Sequence, residues 1–305
     1  MLDETAKGVF TIAVTPFLPD GAIDWDSVDR MVDFYIEKGA TGLTILGMMG
    51  EAGKLSADES AQMVKRVIAR SSVPIVVGVS VPGFAAMKAL ADAAMDTGAA
   101  GVMVAPPGSV KTDAQILTYY HNTAEVLGNT PFVLQDFPLV TNVVVPVSVI
   151  LQIVADCPTC VMLKHEDWPG LEKISALRAA SDAGARRISI LCGNGGLYLA
   201  EEMQRGADGA MTGFAYPEMM AQVVAAHTDG VTDRARDIFD AYMPMVRYEA
   251  QPGLGLAIRK YTLTQRGVIT HATLRKPGAT LSAATMAEVD ALAARQTKKL
   301  QELEL

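Results

Sequence analysis

Cysteine is scarce in this chain. Three in 305 residues are too few for a disulfide framework. Cys157-Pro158-Thr159-Cys160 has the spacing of a redox motif, but it precedes a strand instead of occupying a strand-to-helix turn. A zinc site built on it would need two more ligands, and only Cys192 remains among the thiols. The spacing is read as chance, between two partly buried thiols. Histidines 121, 165, 227 and 271 show no ligand-like spacing, so no metal is expected. Basic charge is also short: a formal net charge of -8 argues against a nucleic-acid surface, which needs concentrated Lys and Arg. No uninterrupted apolar run approaches membrane-spanning length, so no membrane partner is expected. The acidic opening Met1-Leu2-Asp3-Glu4-Thr5 lacks the apolar core of a secretory signal. The expectation is a soluble, cytoplasmic protein.

What is present is a repeat. Apolar, β-rich runs recur at Val9–Val14, Gly42–Leu46, Ile75–Val79, Gly101–Ala105, Phe132–Gln135, Val161–Lys164, Ile188–Cys192 and Ala210–Gly213, at the interval a βα unit needs. The segments between them are helical in period. Asp26–Glu37 places Val28, Met31, Val32, Tyr35 and Ile36 on one stripe, with Asp24 or Asp26 as cap. Ser56–Ala69 carries Asp58 and Glu59 in its first turn. Lys38-Gly39-Ala40-Thr41-Gly42, Thr97-Gly98-Ala99-Ala100-Gly101 and Arg205-Gly206-Ala207-Asp208-Gly209 repeat one signature. In each, a left-handed Gly ends a helix and a second Gly opens a strand.

The fold class this implies is α/β: a (β/α)₈ TIM barrel over residues 1–215, followed by a C-terminal helical region over 216–305 packed on the barrel. Helices are expected there at Met219–His227, Thr232–Tyr248 and Ala283–Leu303. The alternative is a doubly wound open sheet, but the chain lacks a Gly-rich first βα turn, and no cofactor is expected. Gly193-Asn194-Gly195-Gly196 follows strand seven, where it shapes a loop over the barrel mouth.

A barrel gathers the carboxyl ends of its strands on one face. Lys164 ends strand six there. An ammonium at that place must be solvated, paired or used. It either snorkels past the strand end or serves as an amine nucleophile for carbonyl chemistry. Period-two alternation puts Met162 and Glu166 on the side of Lys164, and turns Leu163 and His165 toward the helices. Glu166 is therefore the candidate acid/base partner. A lysine nucleophile must be neutral. Apolar neighbours favour that form and a nearby carboxylate opposes it. The loop Gly47-Met48-Met49-Gly50-Glu51 offers backbone N–H groups to a carboxylate, or is simply a tight turn. Thr15, Gly193 and Gly213 also end at this face, and with Gly47, Met48, Met49 and Gly50 they are the expected substrate-binding positions.

With Gly8–Phe17, the Gly47–Glu51 loop, Leu55-Ser56 with Glu59, Pro131–Pro138, Lys164 and Gly206–Gly213, the whole chain resembles the dihydrodipicolinate synthase / N-acetylneuraminate lyase family. The resemblance implies a Schiff base between Lys164 and a 2-oxo acid such as pyruvate, and a homotetramer. The family's strand-five tyrosine corresponds to Gln135. The hydroxyl pair of its second loop corresponds to Met48 and Met49, the tyrosine after strand four to Gly108, and the synthases' arginine to Val140. True 4-hydroxy-tetrahydrodipicolinate synthesis is therefore not expected. Val133-Leu134-Gln135-Asp136-Phe137-Pro138 and Gly209-Ala210-Met211-Thr212-Gly213 are more similar to the 2-keto-3-deoxyarabonate dehydratase branch, which carries an acid matching Glu166 and a serine where this chain has Gly50.

The expected catalytic set is Lys164, Glu166 and Gln135, in a lyase, dehydratase or aldolase, acting on a small 2-oxo acid. A catalytically impaired 2-oxo-acid-binding protein or regulator stands as the alternative. The methionine pair further implies a pocket mouth that suits an apolar or aromatic portion of the substrate.

Overall fold

The computed structural model describes residues 1–168 and 170–304. Eight parallel strands close on themselves in sequence order: β1 Gly8–Ile12, β2 Gly42–Ile45, β3 Ile75–Gly78, β4 Gly101–Val104, β5 Phe132–Asp136, β6 Cys160–His165, β7 Ser189–Cys192 and β8 Gly209–Ala210. The helices are α1 Trp25–Glu37, α2 Ala57–Arg70, α3 Phe84–Thr97, α4 Asp113–Leu127, α5 Pro138–Thr141, α6 Val147–Asp156, α7 Leu171–Asp182, α8 Leu199–Gln204, α9 Pro217–Thr228, α10 Thr232–Glu249, α11 Gly255–Gln265 and α12 Ala283–Glu302. This is the expected (β/α)₈ barrel with further C-terminal helices.

Strands covered on both faces need apolar residues throughout, and side-chain alternation sorts them into two cores. Phe10, Ile12, Met103, Val133, Met162 and Met211 fill the barrel interior together with Leu2. The N-terminal segment reaches the interior because the Leu2 N–H donates to the Ala100 carbonyl at 2.7 Å. Leu43, Val77, Leu134, Leu163 and Ile190 point outward into the larger core under the helices.

Local signals fix the helix ends. The Asp24 side chain accepts from the Ser27 N–H at the start of α1, and Ser56 with Glu59 forms a reciprocal capping box on α2. Gly39, Gly98 and Gly206 all take positive φ between helix and strand. Gly209 opens β8 against β1, where a Cβ would stand 1.9 Å from the Gly8 carbonyl oxygen. β8 is only two residues long, Gly209–Ala210, and beyond it single bonds continue to both neighbours, from the Met211 N–H to the Cys192 carbonyl and from the Ile12 N–H to the Thr212 carbonyl. The expected strand Ala210–Gly213 is corrected accordingly.

α9, the first of the expected C-terminal helices, packs on β1, β8 and α8 in the place of the barrel's eighth helix and also on α10. α11 was not anticipated between the expected C-terminal helices. It begins with glycine and buries Arg259 and Lys260, so it carries no clean apolar stripe.

Candidate active site

β5 and β6 pair with Gln135 opposite Lys164, and both side chains enter the barrel. Lys164 Nζ lies 2.7 Å from Glu166 Oε2, and both residues are about 5% exposed. Gln135 Nε2 donates to the same Glu166 oxygen at 2.7 Å. One carboxylate oxygen therefore accepts from both partners. The Glu166 backbone is fixed by its N–H to the Asp136 carbonyl at 2.8 Å, just past the end of β6. Gly193 makes room for its side chain, because a Cβ there would fall 2.1 Å from Glu166 Cγ.

The outward-facing neighbours hold the two strand ends from behind. Lys173 Nζ donates to Asp136 Oδ2 at 2.8 Å and to the Val145 carbonyl at 2.8 Å, and it pairs with Asp167 at 2.6 Å. His165 Nε2 lies 3.0 Å from the Gly170 carbonyl, which makes that nitrogen the protonated one. Neither Asp136 nor His165 lines the cavity.

The cavity above Lys164 has a volume of about 750 Å³. It runs from the barrel centre to the α10–α11 turn, where Gln251, Pro252 and Gly253 form the far wall. Gly47, Met48, Met49 and Gly213 line it, as do Gln135, Lys164 and Glu166. Thr15, Gly50 and Gly193, expected to touch substrate, stand behind the wall instead. The Thr15 hydroxyl donates to the Gly50 carbonyl at 2.6 Å and so braces the loop, while Gly193 backs Glu166.

The loop after β2 makes two 3₁₀ turns, Met48–Gly50 and Ala52–Lys54, the first closed by the Gly50 N–H to the Gly47 carbonyl at 3.1 Å. The Met48 and Met49 N–H groups open that turn and have no acceptor inside it. The residue that follows it, Glu51, anchors it. Glu51 Oε1 pairs with Lys260 Nζ at 2.6 Å, and Oε2 accepts from Lys54 Nζ at 2.8 Å and from the Arg275 N–H at 3.1 Å. Lys260 also donates to the carbonyls of Thr15 and Thr273. Burial pushes this lysine down to about 8, against the pull of Glu51.

Sequence reasoning missed the second charged group of the wall. Arg259 Nε pairs with Glu249 Oε1 at 2.6 Å and Nη2 donates to the Gly213 carbonyl. Burial pushes the Glu249 carboxyl up, opposed by Arg259. It also missed Leu139 and Trp168, which follow β5 and β6 and line the mouth, while Asn194 lines it from the expected loop after β7. Their position after barrel strands was the available signal. Thr212 is the one hydroxyl side chain lining the cavity among the described residues, and it accepts from the Gly195 N–H at 2.8 Å. Cys157 and Cys160 lie buried away from the cavity, with burial pushing the Cys160 thiol up to about 12.

A lysine and a carboxylate are thus buried together at the carboxyl end of a barrel strand, at the floor of a cavity. Residues 5–296 match the Dihydrodipicolinate synthetase family. The chain is 27% identical over 302 residues to the L-2-keto-3-deoxyarabonate dehydratase of Azospirillum brasilense, covering 95% of this chain and 94% of that protein. It is 32% identical over 233 residues to the 4-hydroxy-tetrahydrodipicolinate synthase of Sorangium cellulosum, covering 75% and 73% of the two chains. The crystal structure of a dihydrodipicolinate synthase from Rhodopseudomonas palustris superposes with a TM-score of 0.95 at 53% identity, over 96% of this chain and 99% of that one. The chain belongs to the dihydrodipicolinate synthetase family, a family of Schiff-base lyases and synthases.

Proposed function

We propose that the chain is a Schiff-base lyase acting on a 2-oxo acid, as a dehydratase or aldolase, with Lys164 as nucleophile. The observation that carries this reading is the Lys164–Glu166–Gln135 cluster at the floor of the cavity. Glu166 is placed to take the proton of the Lys164 ammonium, which frees the amine to add to the C2 carbonyl. Loss of water then gives an iminium that draws electrons from the bonds next to it. The same carboxylate carries protons between the nitrogen and the substrate carbons. Gln135, donating to Glu166, fixes which way that carboxylate points. The opening N–H groups of the Met48–Gly50 turn receive the substrate carboxylate, with Gly47 and Gly213 giving close approach.

The relative from Azospirillum brasilense supports the dehydratase branch, and the wall supports a role other than 4-hydroxy-tetrahydrodipicolinate synthesis. No tyrosine lines the cavity among the described residues, and Val140 offers no charge to a second carboxylate. We also propose a cytoplasmic homotetramer, checked by light scattering on the purified chain. Borohydride reduction in the presence of pyruvate, followed by peptide mass mapping, tests the chemistry. A reduced adduct on Lys164 is expected, and an unlabelled Lys164 beside a labelled control aldolase contradicts the reading.

One observation favours a second reading, a 2-oxo-acid-binding protein without turnover: among the described residues the wall offers a single hydroxyl, Thr212, which accepts from the Gly195 N–H. Tight calorimetric binding with no product from a substrate panel would select it.

A further inference from the structure

Resting on the Schiff-base reading above, we propose that the substrate carries a single carboxylate and an aryl or similarly bulky apolar group at C4. Its cleavage gives pyruvate and an apolar aldehyde. A cavity of about 750 Å³ lies in the range that holds drug-sized ligands, and a three-carbon acid occupies only its floor. Outward from Lys164 the wall is Met48, Met49, Phe137, Leu139, Val140 and Trp168. At the rim, Leu139, Val140 and Trp168 are 62%, 51% and 41% exposed. Large apolar side chains gathered at an open mouth mark a surface waiting for an apolar ligand. The Trp168 ring packs against Tyr198, with ring centroids 5.0 Å apart.

The charges in the wall argue the same way. Among the described lining residues, the charged side chains are Lys164 with Glu166 and Arg259 with Glu249, each cation already paired. A second carboxylate on the substrate would be desolvated beside Glu166 and Glu249 and would have to compete with Glu249 for Arg259, whose Nη1 is the guanidinium nitrogen left without a partner. The polar side chains are few and partly used: Gln135 donates to Glu166, Thr212 accepts from the Gly195 N–H and keeps its own O–H, and Gln251 Nε2 donates to the Tyr248 carbonyl at 2.8 Å. Asn194 and the Thr212 hydroxyl are the polar side-chain groups left for substrate hydroxyls, in a wall that is otherwise mostly apolar. A polyhydroxylated chain would lose water from several hydroxyls and regain few hydrogen bonds.

The step balances with the groups present. With the 2-oxo acid held as an iminium on Lys164, the C3–C4 bonding pair moves into the iminium and leaves an enamine. The 4-hydroxyl proton passes to Glu166 as the C4–O bond becomes the aldehyde carbonyl. Glu166 then returns a proton to C3, and one water hydrolyses the iminium to pyruvate and free Lys164.

The test compares turnover of 4-hydroxy-2-oxo-4-phenylbutanoate, 2-keto-3-deoxyarabonate and the dicarboxylate 4-hydroxy-2-oxoglutarate, with pyruvate trapping on Lys164 run alongside. The aryl substrate is expected to be preferred in kcat/KM by at least about tenfold, the worth of burying part of one aromatic ring. Trp168→Ala should raise KM for the aryl substrate about tenfold, and Val140→Arg should shift preference toward the dicarboxylate. Pyruvate trapped on Lys164 together with preference for the sugar acid or the dicarboxylate overturns this proposal and leaves the Schiff-base reading standing. Failure to trap pyruvate overturns both.

Discussion

Two carboxylates in this molecule are buried for different ends. Glu166 has two donors on one oxygen and faces the cavity. Glu202, on α8, sits against the Cys192 thiol, and its Oε2 has no partner among the described residues. Burial pushes Glu202 up to about 8. Its folded value thus lies above that of the unfolded chain, so between about pH 4.5 and 8 the folded protein holds a proton that the unfolded chain has lost. Stability from this group is fully present below that window and declines through it, by at most about 1.4 kcal/mol per pH unit. Glu202→Gln should therefore be more stable than the parent by a margin that widens from pH 4.5 toward pH 8, read by urea denaturation. A constant margin would contradict the assignment. Glu166→Gln tests the other role: it keeps the shape and loses the base, and kcat is expected to fall about 10²–10⁴-fold in steady-state assays. Retention of kcat within a few-fold would remove Glu166 from the chemistry.

At the scale of elements, the β2 loop is held by a helix more than two hundred residues away. The Lys260–Glu51 pair is fully buried, and Lys260 also bonds the carbonyl of Thr15, whose hydroxyl braces Gly50. Breaking a buried pair on one side typically costs about 3–5 kcal/mol. Lys260→Met should destabilise the fold toward the lower end of that range, because Lys54 still pairs with Glu51. In the folded fraction, KM for the 2-oxo acid should rise more than kcat falls, since the loop carries the proposed carboxylate N–H groups. An unchanged KM in the folded variant would show that the loop is held without this clamp.

This clamp also marks where the sequence stops being readable. Strand periodicity and the three helix-ending glycines are local signals, and they placed the barrel and seven of its strands to within a residue or two. Alternation along β6 put Lys164 and Glu166 on one side by itself. Arg259, Lys260 and the bracing role of Thr15 depend on which distant segments meet. Nothing local distinguishes a charged residue buried in α11 from one facing water. β8 was misjudged for a related reason, since where its pairing with β7 and β1 becomes irregular depends on two distant strands.

For the molecule as a whole, barrel closure is what turns these pieces into a site. Lys164, Gln135 and the loop after β2 lie far apart in the chain, and the eight-strand order brings their strand ends to one mouth. The C-terminal helices complete it, because the α10–α11 turn forms the far wall of the cavity and Arg259 holds Gly213. The central claim is that the Lys164 amine condenses with a ketone at the floor of this cavity. A crystal structure of the protein soaked with pyruvate tests it most directly. The account predicts continuous density from Nζ to C2, with the carboxylate at the Met48 and Met49 N–H groups. Pyruvate bound elsewhere, with Lys164 still paired to Glu166 at 2.7 Å, would contradict it.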